Sequence, residues 1–349
     1  QDGRDVGHVE LRRRFRPLRL LDPGDRHDLV PGQVLGREQE LEVEPADRDR
    51  FRADYLFLEL TGELRTTLSM ASGTGLLDLR ARAWYSELLD ALGLDEERLP
   101  PISDEPAGAP EQAFPPIGDG ACSNLGAGCV EPDRAALMIG TSGAYRVLRS
   151  TSDLDPRPGL FCYLLDDGHT VEGGAVSDGG GLYAWLQRTL KLDGPRFGEP
   201  DGHGLTFLPL LGGERSPGWN PGAKGAVAGL IYDTGPDDLL QAALEGVAYR
   251  FAEIAAFLPD VREIVATGHA LLVSPEWVQL CADVLGRPVI ASKVSEGSAR
   301  GAAVYGLSRL GVEAEPAPLG EVYEPDSART EIYAAARERQ RDLYSRLFG

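Results

Sequence analysis

Between residues 118 and 310 the chain switches repeatedly between short apolar runs and helix-like runs, and glycine clusters mark the switches. "AALMIG" and "YRVL" read as buried strands on either side of a tight turn, Gly140-Thr141-Ser142-Gly143, and so as a hairpin. "GLYAWLQRTL" reads as a helix entered through Gly179-Gly180-Gly181, and "LEGVAYRFAEIAAFL" carries apolar positions at helical spacing. "EIVAT" and "RPVIAS" are strands, and "SARGAAVYGLSRLG" is a helix rich in small residues. The helix in "SPEWVQLCADVLG" is marked at both ends: Ser274 can cap it, Pro275 suits its first turn, and Gly286 can end it. Such alternation builds layers of helix on sheet, so the fold class is α/β. No solenoid repeat or low-complexity tract interrupts it.

Ahead of this region the signals are weaker. "DYLFLELTGE" (54–63) is helix-like, and "SELLDALGL" (86–94) has Ser86 as an N-cap and Gly93 at the C-cap position. A Pro-rich connection runs from Arg98 to Gly118. Residues 1–52 are charge-dense with no clean period and read as weakly structured. The full 349 residues suffice for two domains. With 42% apolar residues the chain is globular, and its net charge of −20 argues against a nucleic-acid surface, which needs a basic patch. No run of 18 apolar residues exists to span a membrane as a helix. The four cysteines form no CxxC, and reduced thiols in a cytoplasm fit them best. With Gln at position 1 and Met only at 70 and 138, the chain is expected to be a processed, cut or mis-started form.

Two small-residue bends can carry chemistry. In the Gly140–Gly143 turn, backbone N–H groups can converge on an anion and the Thr141 or Ser142 hydroxyl can add a donor; the bland alternative is an ordinary hairpin turn. Asp119, in "GDGACSNLGAG", opens a short helix. It is either the N-cap or a general base held ionised by the helix N-terminus, with small neighbours that let a bulky polar substrate approach. The bends "SDGGGLYAW" and "ATGHALL" each precede a helix, which suits backbone approach to a nucleotide, although neither a Walker loop nor GxGxxG occurs. Trp84, Trp185 and Trp277 read as core, and Cys122 and Cys129 as buried thiols. His8, His27, His169 and His203 read as surface or loop residues, and Glu214-Arg215 as a loop ion pair bordering a cleft.

The order of these blocks resembles the FGGY family of carbohydrate kinases. The resemblance rests on "GDGACSNLGAG", "ALMIGTSGAYRV", "EGGAVSDGGGLYAWL", "LPLLGGERSPGWNPGAKGAVAGL", "ATGHALLVSPEWVQLCADVLGRPV" and "SARGAA", in that sequence, and covers roughly residues 53–310. The wording is most similar to gluconokinase-like members, with xylulose kinases next. It implies the actin/hexokinase-type ATPase fold of two ribonuclease-H-like domains. Residues 53–138 would be the remainder of the N-terminal sugar-binding domain, and 139–349 the C-terminal ATP-binding domain.

The resemblance also implies roles. Asp119 would be the catalytic base, with Gly120 beside it at the substrate. Gly140, Thr141 and Ser142 would face the ATP phosphates, Gly180 would lie near the nucleotide, and Gly268, His269 and Ala270 would line the adenosine. ATP and Mg²⁺ would be the cofactors, and the partner a small sugar or sugar acid, gluconate before xylulose. A homodimer in the cytoplasm, with no nucleic-acid or membrane partner, fits the family. Two departures stand out. No Asp-x-Gly-Thr turn occurs in residues 1–52, so the first domain is expected to be incomplete in this chain. His269 replaces the usual second glycine and either crowds the adenine or stacks on it. Two functional classes follow: a kinase, or a truncated, weak or inactive remnant that at most binds nucleotide.

Overall fold

The computed structural model describes residues 52–107, 113–192, 194 and 196–349. The weakly structured segment expected over 1–52 lies, Arg52 apart, outside the described residues, as do His8 and His27.

The first described elements are small. Helix α1 (Arg52–Thr61) and helix α2 (Leu68–Ser72) precede a two-residue ladder of β1 (Leu77–Asp78) and β2 (Ala83–Trp84), then helix α3 (Ser86–Leu92). The Thr67 hydroxyl oxygen caps α2 by accepting from Met70 N–H at 3.1 Å. Ser86 is the first helical residue of α3 and not its cap; Tyr85 holds the N-cap position without a side-chain bond, while Gly93 ends the helix in the left-handed conformation as expected. Leu68, Ala71, Leu77, Trp84 and Leu89 form a local core that also takes Leu164 from the main sheet.

Asp54, on α1, is fully buried, and neither carboxylate oxygen has a hydrogen-bond partner among the described residues. Burial pushes its carboxyl up to about 6. A folded-state value above the unfolded one means stability is fully present below about pH 4 and is lost as pH rises through about 6. Asp54→Asn should therefore raise stability at neutral pH by about 1–2 kcal/mol and leave it little changed at pH 4. Denaturant unfolding at the two pH values checks this; equal effects of the substitution at both would refute it.

The remaining elements, after helix α4 (Asp119–Gly126), are β3 (Arg134–Ile139), β4 (Gly143–Ser150), β5 (Phe161–Leu164), β6 (His169–Val176), α5 (Gly180–Leu190), β7 (Thr206–Leu208) and β8 (Ala226–Ala228). They continue with α6 (Pro236–Ala255), β9 (Glu263–Thr267), α7 (His269–Leu272), α8 (Pro275–Leu285), β10 (Val289–Ser292), α9 (Gly297–Arg309), β11 (Leu319–Tyr323) and α10 (Ser327–Phe348). Seven strands form one mixed sheet in the order β11-β10-β9-β3-β4-β6-β5. β3, β9 and β10 are parallel neighbours, and the other pairings are antiparallel. The hairpin read from "AALMIG" and "YRVL" is β3–β4, and the marked helix is α8: Ser274 accepts from Trp277 N–H at 3.3 Å, Pro275 opens it and Gly286 closes it in the left-handed conformation.

Strand alternation sorts the sheet's two faces. Ala135, Leu137 and Ile139 of β3, Tyr145 and Val147 of β4, and Ile264 and Ala266 of β9 join the large core built with α5, α6 and α8. The intervening residues turn the other way: Ala136 and Val265 pack with Ala127 and Cys129, and Leu148 packs with Ala121 and Leu125 of α4 and Tyr305 of α9. Helix α6 is buried around nearly its whole circumference, as a central helix of a layered core must be. On the opposite face α4 and α9 touch backbone to backbone. A Cβ on Gly126 would overlap the Gly297 carbonyl, and one on Gly301 would overlap the Cys122 carbonyl.

The expected core tryptophans divide. Trp84 and Trp277 are buried, but Trp185 is 39% exposed, because α5 buries only the Leu182–Leu186 stripe. Cys122 and Cys129 are free buried thiols as expected.

Candidate active site

The parallel strands determine where a ligand can sit. β6 runs in the same direction as β3, because both are antiparallel to β4. The segments that follow β3, β6, β9 and β10 therefore all leave one edge of the sheet, the carboxyl-end edge where α/β proteins bind ligands. Those segments hold Gly140–Ser142, Gly179–Gly181, Gly268–Ala270 and the start of α9.

The first two are locked together by backbone bonds, and the third packs against Gly180 through Ala270. Gly180 N–H donates to the Gly140 carbonyl at 2.7 Å, and Gly179 and Gly181 N–H donate to the Thr141 carbonyl at 3.1 and 2.9 Å. The first turn of α5 thus spends its unpaired donors on the hairpin turn. The turn closes on itself through Gly140 N–H to the Ser142 carbonyl at 2.9 Å. Thr141 and Ser142 N–H find no acceptor among the described residues, and Thr141 is exposed. Only glycine permits this junction. A Cβ on Gly180 would overlap Ala270 and lie 2.7 Å from the Gly140 carbonyl. Gly268 has φ of +89°, and a Cβ there would overlap the Ile139 carbonyl. His269 opens α7 and is exposed. Asp178, just before Gly179, holds the neighbouring loop by accepting from Gly212 N–H at 3.1 Å. Burial raises its pKa, with the Gly212 and Leu211 N–H groups opposing.

Asp119 belongs to a second cluster and makes no hydrogen bond with that turn. It is the first residue of α4 and is exposed; Gly118 occupies the N-cap, so the capping reading of Asp119 is off by one residue. The Ser298 hydroxyl of α9 donates to the Asp119 backbone carbonyl at 3.4 Å, tying it to the segment after β10. Gly120 is buried against β4 and β5: a Cβ there would overlap Tyr163 Oη and sit 3.2 Å from Arg146 Nε. Burial pushes the Cys122 thiol up to about 11, and the Asp119 charge adds to that. Burial likewise pushes the Tyr163 hydroxyl up to about 12, with Arg146 opposing and Asp119 adding. Sequence reasoning missed Arg146, Tyr163 and Ser298. The signal for Arg146 was a lone guanidinium within the apolar run "GAYRVL".

Two other acidic groups resolve as structural. Glu214 ion-pairs with the buried Arg250 and accepts from the Tyr344 hydroxyl, not from Arg215, which is exposed; the expected loop pair is a long-range one. His203 is not a surface residue, since its side chain is 2% exposed. Asp201, His203 and Glu245 bring ligand atoms within 4.8 Å of one another. Leu205 N–H donates to His203 Nδ1 at 2.9 Å, so Nε2 carries the proton and donates to Glu245 at 3.0 Å. Glu245 also accepts from Asp201 N–H, Gln241 and Tyr249. Both imidazole nitrogens and the carboxylate are already committed, which makes this group a hydrogen-bonded plug between a loop and α6.

Comparison with known proteins bears on the whole arrangement. The model of the FGGY family of carbohydrate kinases, C-terminal domain, matches residues 135–309, and that of the N-terminal domain matches residues 37–109. Gluconokinase of Bacillus subtilis (strain 168) is 31% identical over 297 residues, which is 74% of this chain and 58% of that protein. The chain thus spans somewhat over half of that relative's length. Xylulose kinase of Klebsiella pneumoniae is 30% identical over 84% of this chain and 67% of its own. The crystal structure of gluconate kinase from Lactobacillus acidophilus superposes with a TM-score of 0.75 at 29% identity, over 84% of this chain and 67% of that one. Xylulose kinase from the same organism gives 0.77 at 28% identity over the same shares. The fold is that of the actin/hexokinase-type sugar kinases, and the chain belongs to the FGGY family of carbohydrate kinases.

Proposed function

We propose that the protein transfers the γ-phosphoryl group of ATP to a primary hydroxyl of a sugar or sugar acid, gluconate before xylulose, with Asp119 as general base. The observation that carries this reading is the glycine junction at the carboxyl-end edge, whose Thr141 and Ser142 N–H groups are left without acceptors. Unpaired N–H donors at such an edge suit phosphate oxygens. Gly180 and the Gly268–Ala270 segment, packed against this turn, then form the nucleotide wall, with His269 beside the adenine.

Asp119 suits the base. Its exposed carboxylate, in the first turn of α4, can accept the hydroxyl proton as that oxygen attacks phosphorus. Mg²⁺ bound with the nucleotide would neutralise charge on the phosphates. Oxygen donors on the segments at this edge include Asp119, Asp178 and the Thr141 and Ser142 hydroxyls, which fits a cation that takes one or two protein oxygens and keeps its waters. No described helix is long and apolar enough to cross a membrane. A cytoplasmic homodimer, with the boundary between the two domains at residues 138 and 139, completes the proposal.

Calorimetric titration with Mg·ADP tests the nucleotide half. Wild type should bind, and Gly180→Val should weaken binding at least about tenfold by forcing Ala270 and the Gly140 carbonyl away. Coupled assays with gluconate, xylulose and glycerol test the acceptor half. No ADP binding, or equal binding by the valine variant, would overturn the reading.

A further inference from the structure

Arg146 lies in the middle of β4 on the face that carries Leu148, beneath the first turn of α4. Its Nε and Nη1 are buried and have no hydrogen-bond partner among the described residues. Comparably placed arginines differ: Arg134, Arg149, Arg157 and Arg250 reach glutamates, and Arg287 and Arg300 reach carbonyls. A guanidinium withdrawn from water with donors unspent is costly, and a buried unsatisfied group calls for a missing partner. In a chain of net charge −20, surplus positive charge does not account for an unpaired cation against Gly120.

Its surroundings point to an anion. Tyr163 Oη meets the same point, since a Cβ on Gly120 would overlap it and lie 3.2 Å from Arg146 Nε. Burial keeps that hydroxyl protonated and so a donor at neutral pH. The α4 N-terminus, capped by Gly118 without a side-chain bond, adds positive potential.

We propose that Arg146, with the Tyr163 hydroxyl beside it, binds the carboxylate of the acceptor and so selects sugar acids over neutral polyols. This rests on the reading of Asp119 as the base for the same acceptor. A planar guanidinium matches a carboxylate as a fork and offers a neutral hydroxymethyl group much less.

The probes are gluconate and D-glucitol, which differ in having a carboxylate or a hydroxymethyl group at one end. Titration of the full chain with each, in the presence of Mg·ADP, should give gluconate at least tenfold tighter binding than glucitol. Arg146→Met should remove that preference by weakening gluconate at least tenfold and glucitol less than twofold, and Arg146→Lys should restore part of it. Equal affinities for the two ligands in wild type would overturn the assignment without needing any variant to fold. Equal losses for both ligands in Arg146→Met would make the residue merely structural. Competition by inorganic phosphate that disappears in Arg146→Met would move the arginine to the phosphoryl group and equally overturn the proposal. ADP binding without gluconate selectivity sinks this assignment alone, whereas absent ADP binding sinks the kinase reading.

Discussion

Asp119→Asn should lower ATP-dependent phosphorylation of gluconate by about a hundredfold or more, while leaving unfolding and ADP binding almost unchanged. The substitution keeps size and hydrogen-bonding shape but cannot accept a full proton, and a positioned general base is worth roughly 10²–10⁴ in rate. The structure explains why stability should hardly move. Asp119 is exposed, and Gly118, not Asp119, sits at the N-cap. What is lost is one carboxylate's favourable interaction with the helix N-terminus, about 0.3–1 kcal/mol at an exposed site. Asp119→Ala should therefore cost no more stability than the Asn variant, where a true cap would cost about 1 kcal/mol more. Wild type and Asn variant are compared in a coupled ATP assay, with xylulose and glycerol beside gluconate. Equal rates in the two proteins would reduce Asp119 to a first-turn acid with no part in the chemistry.

Much of the site's framework could be read along the chain because it is local. The β3–β4 hairpin, the Gly179–Gly181 entry to α5 and the Ser274–Gly286 limits of α8 each follow from a few neighbouring residues whose conformational needs are specific. The errors at Ser86 and Asp119 are one-residue boundary errors: a residue that can cap was placed at the cap, and the chain begins the helix there instead. Trp185 was misjudged because α5 buries only a narrow i, i+4 stripe, and a residue one position off it faces outward.

The larger misses are long-range. His203 can be buried because Glu245, 42 positions later, accepts a hydrogen bond from its Nε2, and Glu214 finds Arg250 and Tyr344 instead of its neighbour. Arg146 meets Gly120 and Tyr163 only through α4 crossing the sheet. No local pattern carries such pairings. What the glycines do signal is close approach: of backbone at Gly180 and Gly268, and of the Tyr163 and Arg146 side chains at Gly120.

The α4–α9 contact gives the sharpest test of that principle, because two effects of opposite sign compete at Gly301. Replacing a helical glycine by alanine ordinarily stabilises by about 1 kcal/mol through reduced backbone entropy. At Gly301, in α9, the added methyl would overlap the Cys122 carbonyl oxygen and lie 2.8 Å from Cys122 Cα. Those are backbone atoms of α4 that no rotamer change can withdraw, so one helix must move. Overpacking of this kind costs about 1–3 kcal/mol and sometimes more, which exceeds the propensity gain. Gly301→Ala should thus lower stability by about 2 kcal/mol or more. It should also loosen the Ser298–Asp119 contact that ties the proposed base to α9. Gly306→Ala, in the same helix, is the control: its methyl would meet only Phe114 at an ordinary 3.8 Å, so it should leave stability unchanged or raise it by up to about 1 kcal/mol. Denaturant midpoints of the three proteins decide the matter. If Gly301→Ala unfolds at or above the midpoint of Gly306→Ala, the two helices do not touch there, and α9 does not hold α4 in position.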